Sequence, residues 1–172
     1  MNLKERFEEY RHEIRFADLD LASRAMALLW LGLFRERVVR NCFPHVSAKS
    51  LVDDVMKVIN SIFLEGYILA RAAQGQGSGA VRYTDPDRRG SVESGVERLR
   101  AMYEDEAIGM MPFAEEPLGV ESIAEALVRE TVYGPELVRL EERELLKVHL
   151  TYALWAGYRL AVFERRLSGE ES

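Results

Sequence analysis

The chain has 172 residues, 48% of them aliphatic or aromatic and 30% charged, with a net charge of −6. That length suits one domain, able to bury roughly 70% of its unfolded surface, and the acidic balance argues against a nucleic-acid binder, which carries a basic excess. Cys42 is the only cysteine, which excludes an intramolecular disulfide and a cysteine-based zinc site.

Apolar spacings of three and four dominate and no segment alternates with period two, so the expected fold is an all-α, elongated bundle of five to six helices over 1–172. A first helix is predicted over 3–16. Its opening, MNLKERFEEYRHE, is charged throughout and has no apolar signal core, so a cytoplasmic protein is expected. A second helix runs from 18 to 42 and ends at Phe43-Pro44, because proline disfavours a helical residue before it. Within it, AMALLWLGLF at 25–34 is ten residues long between Arg24 and Arg35. That is about half of a membrane span. Ser47 is the predicted N-cap of a third helix over 48–73, and Gly75 its stop.

Residues 75–119 read as a flexible or irregular insert. GQGSG is linker-like, YTDPDRRGS is turn chemistry, and AIGMMPFAEEPLG is broken by glycine and two prolines. A short helix over 92–106, capped by Ser91, interrupts it. Helical pattern resumes over 120–133, and Gly134-Pro135 closes one helix and opens the next. The last helix is predicted over 135–167. Glutamates early and arginines late complement its dipole. It carries two apolar stripes: Val138, Leu145, Val148, Tyr152, Trp155 and Val162 on one, Leu146, Leu150, Ala153, Gly157 and Leu160 on the other. A helix striped twice is buried on two sides. Long helices of this kind need a partner to cover them, so a homodimer is expected, with Val148, Tyr152, Trp155 and Val162 as its interface.

One motif recurs. FLEGYILARA at 63–72 and LWAGYRLAVF at 154–163 share Gly-Tyr-x-Leu-Ala. Gly66 and Gly157 fall on apolar stripes, where a glycine costs roughly 1 kcal/mol against alanine. Close approach of another helix is the expected compensation, with Tyr67 and Tyr158 burying their rings beside the crossing. Glu65 is unusual in its surroundings, but Asp54, Ser61 and Glu65 share one helix face with Lys57 beside it. The second copy has Ala156 at the equivalent place, as a repeated catalytic site would not.

Chemistry is sparse. The Glu-x-x-His pattern of a di-iron bundle occurs once, at Glu9–His12, where two are needed. A magnesium-dependent nucleotide pyrophosphohydrolase of the MazG-like kind pairs Glu-x-x-Glu with a downstream Glu-x-x-Asp. Glu141 and Glu144 supply the first, and no Glu-x-x-Asp occurs. Asp53 and Asp54 offer carboxylates without that spacing. GQGSG could cradle an anion with Arg82, Arg88 and Arg89, but no Gly-Lys-Ser/Thr follows it. IGMMPF at 108–113 is an apolar plug suited to docking on another protein. The expectation is therefore a non-catalytic interaction, structural or adaptor module with no cofactor. A metal-dependent pyrophosphohydrolase-like enzyme using Asp53, Asp54, Glu141 and Glu144 is the alternative, and an anion-responsive regulator the third reading.

Overall fold

The computed structural model describes residues 1–42, 49–105, 118–134 and 143–170. Among the described residues there are six α-helices and one 3-10 turn, with an irregular segment over 74–88 and no strand. The helices are α1 (Leu3–Glu13), α2 (Leu21–Cys42), α3 (Lys49–Ala73), α4 (Arg89–Asp105), α5 (Val120–Val132) and α6 (Arg143–Glu170). The all-α class and the long C-terminal helix are as the periodicity predicts. Ser47, Glu141, the 108–113 segment and the predicted start at Pro135 lie outside the described residues.

Local chemistry sets most helix ends. The Asn2 side chain accepts from the Glu5 N–H at 2.9 Å while the Glu5 carboxylate accepts from the Asn2 N–H, a capping box that starts α1. That helix ends at Glu13 instead of 16, because Ile14 turns extended and drops into the core. Asp20 then caps α2, which starts at Leu21, three residues later than predicted, by accepting from the Ala22 N–H at 3.0 Å. Gly75 ends α3 at φ +67°, the left-handed conformation glycine adopts without strain. The fourth helix begins at Arg89, ahead of its predicted cap. Ser91 does not cap it; its hydroxyl accepts from the Asp85 N–H at 3.0 Å.

The centre of the molecule is the α3/α6 pair. Gly66 lies on Leu154 and Gly157 lies on Phe63, so the two helices run antiparallel. A Cβ added at Gly66 would collide with the Leu154 carbonyl oxygen, and one at Gly157 with that of Phe63. Around this crossing Ile59, Ile62, Phe63, Leu69, Leu150, Leu154, Leu160 and Phe163 are fully buried. Burial at about 25 cal/mol per Å² of apolar surface holds the pair together. Helices α1 and α5 pack beside α3; α2 and α4 pack together and against α6. Gly95 brings α4 close to Ala22 and Thr84, which sets α4 alongside the first half of α2.

Candidate functional site

Glu164 is 1% exposed and occupies the i+4 place after Leu160 on the second apolar stripe of α6. Burial in this apolar setting pushes its carboxyl above the usual carboxylate range, although donors offset part of the effect. Tyr67 donates to one carboxylate oxygen and Ser23 to the other, each at 2.6 Å. The Ser23 and Tyr83 hydroxyls share a hydrogen bond of 2.6 Å, in which Tyr83 is the donor while Glu164 is ionised and takes the Ser23 proton. Arg71 donates to the Tyr67 hydroxyl at 3.1 Å, and to the carbonyls of Gly77 and Gly79.

A second buried carboxylate extends this scaffold. Asp20 accepts from the Tyr83 and Thr84 N–H groups and, at 2.7 Å, from the Thr84 hydroxyl. The segment after α3 is thereby pinned along its length, with Tyr10 donating to the Gln76 carbonyl at 2.6 Å as well. GQGSG turns carbonyls toward an arginine, the reverse of an anion nest. The three loop arginines do not converge. Arg82 donates to the Leu19 carbonyl at 3.3 Å, Arg88 stands 3.7 Å from Asp85, and Arg89 pairs with Glu93 at 3.0 Å.

Two open features flank the α3/α6 pair. One is a charged cleft of about 410 Å³ between α1, α3 and α5, floored by Asp54, Lys57, Ser61 and Glu65. Arg11 crosses it to Glu65 at 2.8 Å. Burial raises the Glu65 carboxyl, helped by Glu130 and Glu8, and Arg11 counteracts only part of that. The other carboxylates of the enzyme reading do not gather. Asp53 stands 3.9 Å from Arg35, and Glu144 accepts from Tyr133 at 3.3 Å. Among the described residues no group of three or more His, Cys, Asp or Glu is placed to hold a metal ion. His149 is buried, with Nδ1 2.8 Å from the Leu145 carbonyl and its ring near Phe34.

The other feature is an apolar groove of about 420 Å³ between α2, α4 and α6, lined by Met26, Leu29, Trp30, Leu33, Tyr103 and Tyr152 among others. Arg100 and Glu104, paired at 3.4 Å, edge it. Beside it α2 leaves Leu28, Leu29 and Leu33 exposed at 57%, 41% and 65%. The predicted interface residues divide here. Tyr152 lines the groove under the Arg37 guanidinium, 5.8 Å from the ring centroid. Val148 is exposed and Val162 is half-buried. Trp155 is withdrawn into the chain's own core, 4% exposed and edge-on to Tyr158. Tyr158 is itself buried.

Spacing alone did not single out the leucine face or the Glu164 network. The signals were present: an apolar run that continues round every side of α2, and a glutamate in step with an apolar stripe. No helix among the described residues is long and apolar enough to cross a membrane. No family model, curated protein or solved structure matches this chain.

Proposed function

We propose that the chain is a non-catalytic helical interaction module that acts as a homodimer and binds protein through the α2/α4/α6 face. The observation that carries this reading is the leucine row Leu28, Leu29 and Leu33, held in solvent beside a formed apolar groove. Large apolar side chains gathered on one face of a chain otherwise well packed mark an interaction surface. A single cysteine and no disulfide framework suit a reducing, cytoplasmic setting.

Native mass spectrometry with magnesium and nucleotide present tests the reading. The expected spectrum contains protein-only complexes that Leu33→Asp dissociates. Stoichiometric metal or nucleotide adducts lost in Asp54→Asn or Glu144→Gln would replace this reading with the enzyme.

A further inference from the structure

Four glycines lie in helix interiors among the described residues, and three of them meet another part of the chain. Gly66 and Gly157 face backbone carbonyls across the α3/α6 crossing, and Gly95 faces Ala22 and Thr84. Gly32 is the exception. A Cβ added there meets nothing within 4 Å, although it lies in the middle of α2 between exposed leucines. Away from the first and last turns of the described helices, where Gly90 and Gly169 lie open, every other helix glycine admits a close neighbour.

Building on the interaction-module reading, we infer that the missing neighbour is a second copy of this chain, its α2 crossing the first antiparallel at Gly32. The stripe Ala25, Leu28, Leu29, Gly32, Leu33 and Glu36 is self-complementary in that sense. A two-fold axis midway between Leu29 and Gly32 places each Leu29 over the glycine of the other copy. It also sets Leu28 against Leu33 and Ala25 against Glu36. A parallel pairing puts leucine on leucine and leaves a gap between the glycines. The interface is isologous, the form closed dimers take.

Charge favours the same orientation. The far half of α2 exposes Arg35, Arg37 and Arg40 against the single acid Glu36. Its near half lies beside α4, where Glu93, Glu97 and Glu104 outnumber Arg89 and Arg100, the two arginines paired with Glu93 and Glu104 on the same face. Arg24, in that half, is drawn to the Ala17 and Leu19 carbonyls. Antiparallel copies bring each arginine-rich end toward the acidic flank of the other; parallel copies stack arginines on arginines. Such complementarity sets orientation and register.

Analytical ultracentrifugation over a wide concentration range, with disulfide trapping, tests this. The wild-type chain should sediment as a dimer, and Leu33→Asp and Gly32→Gln should each weaken association at least tenfold. Both positions are open to solvent in the single chain, so circular dichroism should show unchanged helicity. In a Cys42→Ser background, mixing Ala25→Cys with Glu36→Cys chains should trap a disulfide-linked pair that neither forms alone. A wild-type monomer at all concentrations, a dimer indifferent to both variants, or self-linking of Ala25→Cys would each overturn the inference. Self-linking of Ala25→Cys would sink this geometry and leave the interaction module standing, whereas metal or nucleotide adducts would sink the module whatever the dimer geometry.

Discussion

Gly66 and Gly157 are related by a local two-fold. Gly66 faces the carbonyl of Leu154, three residues before Gly157, and Gly157 faces that of Phe63, three residues before Gly66. The Gly-Tyr-x-Leu-Ala echo in the sequence thus coincides with one reciprocal contact between antiparallel helices. Beyond the glycines the symmetry lapses. Tyr67 bonds Glu164, seven residues after Gly157, whereas the position seven after Gly66 is Ala73.

Gly66→Ala and Gly157→Ala should each destabilise the fold, because the obstructing atom is backbone and cannot swing aside. Overpacking of this kind costs about 1–3 kcal/mol. The double variant should cost less than the sum, since separating the helices once relieves both collisions. Gly32→Ala should do the opposite within a single chain, raising its stability by up to about 1 kcal/mol through helix propensity alone. Denaturant titrations of the four variants check the signs.

Glu164 makes a pH signature expected. Its carboxyl is raised in the folded state by burial, so the folded chain keeps a proton that the unfolded chain has released. Stability from this group is present below the ordinary carboxylate pKa and is lost as pH rises through the raised value. Glu164→Gln should flatten that fall. The Glu65 carboxyl is raised in the same direction in both proteins and cancels in the difference. Urea midpoints from acidic to neutral pH test it; parallel profiles for the two proteins would remove Glu164 as the cause. Tyr67→Phe takes one donor from the carboxylate and should move the wild-type fall to higher pH.

Asp20 combines a helix cap with a tether for the 83–84 backbone. An ordinary cap is worth about 1 kcal/mol, but removing this carboxylate also strands three buried donors from Tyr83 and Thr84. Asp20→Ala should therefore cost about 3 kcal/mol, in the range expected once unsatisfied buried groups are added. It should also speed proteolysis within 74–88. A loss no larger than that of a surface cap would mean that the tether contributes nothing.

Different parts of this architecture were legible to different degrees, for physical reasons. The faces of α3 and α5 follow apolar periodicity, and Gly75 marks an end through a conformation few other residues adopt. The start of α4 was misplaced because Ser91 spends its hydroxyl on the Asp85 N–H, a contact that local pattern does not predict. Glu164 was overlooked because a carboxylate on an apolar stripe makes sense only once Ser23 and Tyr67, distant in sequence, are brought to it. The open face of α2 is set by where α4 and α6 stop covering it. A helix apolar on every side carries no sign of which side that is.

The Arg11–Glu65 pair supplies a final test, because its two partners are unequally buried. Arg11 is about one-third exposed, whereas Glu65 is more enclosed, on the cleft floor. Arg11→Met removes the nearest compensating charge and leaves Glu65 facing Glu130 and Glu8. Its cost should be about 1–2 kcal/mol, above a surface ion pair and below a fully buried one. Adding Glu65→Gln to that variant should recover part of the loss by removing the stranded carboxylate. The double-mutant cycle should therefore show a coupling of the sign expected for attraction, shrinking in high salt and as pH falls and Glu65 is protonated. A cycle that closes to zero in low salt at neutral pH would mean that the pair is only a contact between two solvated groups.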